Sequence, residues 1–115
     1  MAQSAPTARI PVAVLGATGM VGQRLVALLA NHPWFELAGM VASERSVGRS
    51  FAEAVRWRIE GDVPEAARAL PLVSLEDGPS LPVSVAFSAL PAPEAERIEP
   101  EWARAGVFVS SNASA

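Results

Sequence analysis

Three glycines, each three residues after the last, follow an apolar segment near the start of the chain. The segment Val12-Ala13-Val14-Leu15 predicts a buried strand, and Gly16, Gly19 and Gly22 come directly after it. Between a strand and a helix, such glycines permit a tight turn, close approach of a pyrophosphate and close packing of the helix on the strand. The N–H groups of the helix's first turn would face the phosphates. The pattern therefore predicts a dinucleotide site.

The spacing within this turn is Gly-x-x-Gly-x-x-Gly rather than Gly-x-Gly-x-x-Gly, and its centre is Ala17-Thr18-Gly19. Such a turn is typical of several dehydrogenase and reductase branches. The residues after it have apolar side chains at helical spacing and predict a helix from Met20 to Asn31, with Val21, Leu25, Leu28 and Leu29 as its apolar positions. The alternative is an ordinary strand-to-helix turn that uses glycine only for geometry. The strand before the turn and the helix after it favour the cofactor site.

A second group of polar residues follows the next predicted strand, Phe35–Ala42. Sites specific for NAD carry Asp or Glu at this point, about 20 residues after the glycine turn, to hold the ribose hydroxyls. This chain has Ser43-Glu44-Arg45-Ser46 instead. A guanidinium between two hydroxyls suits a 2'-phosphate, so we predict NADP as the cofactor. Glu44 would then face solvent or pair with an arginine. The alternative is a solvated charged loop without a ligand.

The remaining elements alternate in the same way. We predict a short strand over Leu70–Val73 and further strands over Pro82–Ala89 and Val107–Ser110. We also predict a weak helix over Phe51–Arg58 and a second one over Glu94–Ala105, which Pro100 would kink or split. Alternating strands and helices predict the α/β class, a Rossmann-like, doubly wound and mostly parallel sheet, over residues 10–115. Residues 1–9 would form a flexible lead-in.

Composition excludes several chemistries. The 115 residues include no cysteine and no tyrosine, and all nine basic residues are arginine. Thiolate nucleophiles, thiolate metal sites and lysine-based phosphate loops are therefore excluded within these residues, and we predict no catalytic residue and no metal ligand. The one histidine, His32, precedes a proline at a helix end, where we expect a structural role.

The charge and hydropathy pattern bears on partners and location. The net charge of −3 gives no electrostatic footprint for nucleic acid or for an anionic membrane surface. No apolar run reaches the roughly 18 residues of a membrane span, and residues 1–11 lack the features of a signal peptide. We therefore expect a cytoplasmic protein that binds neither nucleic acid nor membrane.

Four motifs taken in order suggest a family. They are the Gly16–Gly22 turn, the Ala42–Ser46 loop, the Ser88–Pro91 strand end and the Ser111–Ser114 tail. They resemble the aspartate-semialdehyde dehydrogenases, most closely the archaeal and fungal-like branch, and the resemblance spans about Ile10 to Ala115. The resemblance implies NADPH-dependent reduction of L-aspartyl 4-phosphate to L-aspartate 4-semialdehyde and phosphate, on the route to lysine, threonine and methionine.

The resemblance also implies roles for individual residues. The pyrophosphate would be held by Thr18, Gly19, Met20 and Val21. The 2'-phosphate would be held by Ser43, Arg45 and Ser46. The ribose and nicotinamide side would be lined by Ser88, Ala89, Leu90 and Asn112.

In this family a cysteine thiolate forms an acyl-enzyme, and that cysteine follows the Ser-Asn-Ala-Ser tail by a few tens of residues. We therefore expect a chain that stops before the catalytic and substrate domain and is inactive alone. Aspartyl phosphate or aspartate semialdehyde would bind only together with that domain, and full-length members assemble as homodimers or homotetramers.

Three alternatives remain open. The first is a malonyl-coenzyme A reductase, whose archaeal members look much like this branch. The second is a non-catalytic NADP-binding module similar to the atypical short-chain reductases, which share the Gly-Ala-Thr-Gly turn but not the Ser-Asn-Ala-Ser ending. The third is a degenerate remnant without a ligand.

Overall fold

Five parallel strands form a single sheet at the centre of the molecule. The computed structural model describes residues 9–111, apart from the side chains of Glu44 and Pro79. The strands are β1 (Ile10–Leu15), β2 (Phe35–Val41), β3 (Leu72–Val73), β4 (Val85–Ser88) and β5 (Phe108–Ser111). Their order is β3-β2-β1-β4-β5, and every neighbouring pair is parallel. The predicted α/β, Rossmann-like fold is thereby confirmed.

Helices cover both faces of this sheet. They are α1 (Met20–Leu29), α2 (Phe51–Ala54), α3 (Glu65–Arg68) and α4 (Ala92–Arg104), with 3₁₀ turns at Glu44–Ser46 and Gly78–Ser80. Alternate residues of β1 point to opposite faces, as the pleat requires. Val12 and Val14 belong to the core beneath α1, whereas Ala13 and Leu15 belong to the core beneath α4. Strands buried on both faces explain the continuous apolar runs in the sequence.

The predicted elements differ from the observed ones mainly in the middle of the chain. The predicted helix over residues 51–58 ends after one turn, because Val55 adopts an extended backbone with φ −83° and ψ 144°. The helix α3 has no counterpart in the prediction, and β3 is two residues shorter than predicted. Pro100 lies inside α4 without splitting it. A separate finding concerns membranes. Within residues 9–111, no helix is both long enough and apolar enough to cross one.

The strand order fixes where a ligand can bind. From β1 the chain passes through α1 to β2 on one side, and β4 lies against the other side of β1. The connections that follow β1 and β4 therefore diverge at the carboxyl edge of the sheet, which opens a crevice there. The glycine turn follows β1 directly, so it lies at this crevice.

Candidate dinucleotide site

Gly16 begins the turn in a conformation that favours glycine. Its φ is +78°, in the left-handed region where a Cβ atom causes strain. The N–H groups of Gly16 and Ala17 both donate to the Val41 carbonyl, at 2.9 and 3.1 Å, so the turn is held against the end of β2. A Cβ atom on Gly16 would also lie 3.4 Å from the backbone of Ala89, just beyond β4. The turn therefore lies between the ends of β2 and β4.

Gly22 and Gly19 are required for different reasons. A Cβ atom on Gly22 would lie 2.0 Å from the Gly16 carbonyl oxygen, so this glycine allows α1 to pack on the turn. A Cβ atom on Gly19 would have only the Gly16 carbonyl oxygen near it, at the ordinary contact distance of 3.7 Å. The fold itself therefore leaves open space at Gly19. This space is what close approach by a ligand needs.

The start of α1 can accept negative charge. Gly19 is the residue before the helix, and it brings no side chain to satisfy the first N–H groups. The first turn of α1 contains no acidic residue. Backbone N–H groups without an intrahelical acceptor and the positive end of the helix dipole both favour an anion at this point.

A cleft of about 240 Å³, which we call the main cleft, opens beside the turn. The residues that line it come from the turn and from the loops after β2, β3 and β4: Gly16, Thr18, Gly19, Ala42, Ser43, Leu75, Ala89, Leu90, Pro91 and Glu94. An adjoining hollow is lined by Ser43, Leu75, Glu76, Glu94 and Arg97. The Arg97 guanidinium and the Glu76 carboxylate form an exposed ion pair there, at 3.6 Å.

The structure brings several of the predicted site residues together in this cleft and leaves others aside. Gly16, Thr18, Gly19, Ser43, Ala89 and Leu90 line it. Ser88 is fully buried, and its hydroxyl accepts a hydrogen bond from the Leu90 N–H at 3.4 Å. Ser88 therefore stabilises the backbone after β4 and does not line the cleft. Asn112 lies outside the described residues.

Four further predicted residues do not line the main cleft. Arg45 is exposed in the 3₁₀ turn after β2, and the Ser46 N–H donates to the Ser43 carbonyl at 3.0 Å. Neither Arg45 nor Ser46 is among the residues that line the main cleft. Met20 and Val21 are exposed at the start of α1.

Gln23 is a residue that the sequence analysis missed. It lies on α1 with 2% of its surface exposed. Its amide nitrogen donates to the carbonyls of Thr18 and Arg56, at 2.9 and 3.1 Å, and its amide oxygen accepts from the Arg58 N–H at 2.8 Å. The predicted apolar positions indicated a different face of the helix, since Val21 and Leu28 are exposed and the buried face carries Gly22, Gln23, Val26 and Leu29.

The segment 55–58, which Gln23 contacts, follows α2, and the N-terminus of α2 carries a capping box formed by Ser50 and Glu53. The Ser50 N–H donates to the Glu53 carboxylate at 3.0 Å, and the Glu53 N–H donates to the Ser50 hydroxyl at 3.3 Å. The hydrogen bond from the Ser50 backbone, followed by the one involving its side chain, lowers the pKa of Glu53 below its usual value. The cap therefore favours the ionised form of Glu53 and fixes the residue at which α2 begins.

Known proteins of one family are similar in sequence to this chain. Residues 11–115 match the family model described as the NAD-binding domain of semialdehyde dehydrogenase. The aspartate-semialdehyde dehydrogenase of Archaeoglobus fulgidus is 47% identical over 107 residues, which are 93% of this chain and 31% of that protein. The corresponding protein of Methanothermobacter thermautotrophicus is 43% identical over 106 residues, which are 92% of this chain and 30% of that protein.

A solved structure agrees with these sequence matches. The crystal structure of aspartate-semialdehyde dehydrogenase with NADP from Candida albicans superposes with a TM-score of 0.85 at 38% identity. The superposition covers 93% of this chain and 30% of that one. The chain thus spans just under a third of the length of each of these relatives.

Proposed function

Because the chain belongs to the semialdehyde dehydrogenase NAD-binding domain family, we propose that it is the NADP(H)-binding part of an aspartate-semialdehyde dehydrogenase. The observation that carries this proposal is the glycine turn. It leaves open space at Gly19, directly before the uncapped start of α1 and beside the main cleft. These residues fit a dinucleotide, since the turn offers backbone N–H donors and no side chain that would fill the cradle.

In this proposal, each part of the cofactor has its own residues. Thr18, Gly19, Met20 and Val21 hold the pyrophosphate at the start of α1. Arg45, with Ser43 and Ser46, holds the 2'-phosphate after β2, where an NAD-specific site carries a carboxylate. Ala89, Leu90 and Asn112 line the nicotinamide side, and Ser88 supports them. The Candida albicans relative was crystallised with NADP, which supports this choice of cofactor.

The bound nicotinamide would supply the hydride for reduction of L-aspartyl 4-phosphate to L-aspartate 4-semialdehyde and phosphate. The residues of this chain bind and orient it at the carboxyl edge of the sheet. Acyl transfer in this family needs a thiolate, and the 115 residues contain no cysteine. We therefore propose that these residues alone bind the cofactor without catalysis, and that the substrate binds together with a further domain, in a cytoplasmic homo-oligomer.

Parallel titrations with NADPH and NADH test the proposal. The three tryptophans provide a fluorescence signal, and calorimetry replaces it if the fluorescence does not respond. We expect both cofactors to bind and NADPH to bind at least about tenfold more tightly, because charge-assisted hydrogen bonds to the 2'-phosphate add to its affinity. Equal affinities would contradict the choice of NADP. Binding of neither cofactor would contradict the dinucleotide site itself.

A further inference from the structure

The segment 55–58 leaves α2 at Val55, whose backbone is extended with φ −83° and ψ 144°. Arg56 and Arg58 line one cleft, whereas Trp57, between them in the chain, packs against the core that contains Val12 and Val14. Trp57 packs against Phe51, with ring centroids 6.1 Å apart, and its indole N–H donates to the Gly61 carbonyl at 3.0 Å. The inward tryptophan therefore directs both arginines outward.

Both arginines border a second cleft, which shares Thr18 and Gly19 with the main cleft. This cleft has a volume of about 350 Å³, and its lining is Thr18, Gly19, Met20, Gln23, Ala54, Arg56 and Arg58. Both arginines are exposed, and neither forms an ion pair with a carboxylate among the described side chains of residues 9–111. Two positive charges thus lie beside the backbone that begins α1.

Gln23 fixes the distance between these charges and the turn. Its amide bonds the Thr18 carbonyl on one side and the backbone of Arg56 and Arg58 on the other. Each of the three hydrogen bonds joins the Gln23 side chain to a main-chain atom that lies outside both α1 and the sheet. The side chain is buried, so its geometry is shielded from competing water.

We propose that Gln23 is a positioning residue that holds Arg56 and Arg58 beside the glycine turn, where their guanidinium groups bind the pyrophosphate of the dinucleotide. This inference rests on the proposed cofactor function. The pyrophosphate is the partner because the arginines share their cleft with Thr18, Gly19 and Met20, whereas Ser43, from the loop predicted to hold the 2'-phosphate, lines the main cleft. Both NADPH and NADH carry a pyrophosphate, so the arginines should act on both cofactors alike.

The double variant Arg56→Gln/Arg58→Gln tests the arginines. We expect it to weaken NADPH and NADH by the same factor, about tenfold or more, and to reduce the salt dependence of binding. Arg104→Gln is the control, because it removes an exposed charge at the far end of α4. A loss confined to NADPH, or a double variant that matches this control, would overturn the inference while the proposed function stands. If the unaltered chain binds neither cofactor, the proposed function fails and this inference fails with it.

A double-mutant cycle with Gln23→Met tests the positioning role. In the unaltered background we expect this variant to weaken both cofactors severalfold, because the arginines lose their fixed position. In the Arg56→Gln/Arg58→Gln background it should have little further effect. The same loss in both backgrounds would mean that Gln23 acts only through the shape of the turn, and would overturn its role. Thermal unfolding verifies that each variant is folded, and if Gln23→Met is not, Gln23→Asn, whose amide is one carbon too short to bridge both segments, replaces it.

Discussion

In the proposed site, Arg45 is the residue whose charge distinguishes NADPH from NADH. It is exposed in the turn after β2, where a phosphate could reach its guanidinium. We expect Arg45→Ala to weaken NADPH binding about tenfold or more and to leave NADH nearly unchanged, because only NADPH carries the 2'-phosphate. Parallel titrations measure this, with Arg104→Ala as the charge control. Equal losses for both cofactors would remove Arg45 from the 2'-phosphate site.

The same substitution to alanine should affect Gly22 and Gly19 differently: it should lower stability at Gly22 and cofactor binding at Gly19. Gly22→Ala would place a Cβ atom 2.0 Å from the Gly16 carbonyl oxygen, and we expect a loss of about 1–3 kcal/mol or more in the free energy of unfolding. Gly19→Ala meets no such contact, and we expect it to cost less than about 1 kcal/mol. It should nevertheless weaken both cofactors, because its methyl group occupies the space that the pyrophosphate needs. Urea unfolding and cofactor titration of both variants separate the two effects, and unimpaired binding by Gly19→Ala would contradict the cradle.

At the scale of elements, the strands and the main helices could be predicted because their signals are local. The apolar runs of β1, β2 and β4 and the helical spacing of α1 are visible in the sequence itself. The segment after α2 could not be predicted in the same way. Its apolar spacing suggested a continued helix, but the backbone is extended at Val55, and the Arg58 N–H donates to Gln23, 35 residues earlier in the chain, instead of to a carbonyl within a helix. Arg56 and Arg58 escaped the sequence analysis for this reason, whereas the glycines were found because their geometry depends on the turn alone.

The contact between the Gly78–Ser80 turn and α4 offers a test of packing. A Cβ atom on Gly78 would lie 2.3 Å from the ring of Trp102, which is completely buried. We expect Gly78→Ala to lower the free energy of unfolding by about 1–3 kcal/mol, since the ring has no room to move. Denaturant unfolding measures the loss.

The variant Trp102→Phe provides the control for this contact. The Trp102 indole N–H has no acceptor within the described part of the chain, so phenylalanine removes ring volume without breaking a hydrogen bond. We expect Gly78→Ala to cost less in the Trp102→Phe background than in the unaltered chain, because the smaller ring leaves room for the methyl group. Equal costs in the two backgrounds would show that the strain lies elsewhere.

At the scale of the whole molecule, β5 forms one edge of the sheet within the described residues and carries a large exposed apolar side chain. Among residues 9–111, β5 pairs only with β4, and Phe108 on this strand is 70% exposed. An exposed edge strand with a large apolar side chain is a template for pairing with a second molecule. We therefore expect the 115-residue chain to self-associate as its concentration rises, and light scattering coupled to size-exclusion chromatography measures this.

Phe108→Lys should shift this association toward the monomer, because a charge on an edge strand opposes strand pairing between molecules. Leu28→Lys makes the same chemical change at a side chain of α1 that is 72% exposed, and we expect it to leave the association unchanged. If both lysine variants dissociate the chain equally, general surface apolarity drives the association rather than the edge of β5. A sharp monomer peak for the unaltered chain at every concentration would contradict self-association through the edge of β5. The sheet would then stay monomeric without any further segment that covers this edge.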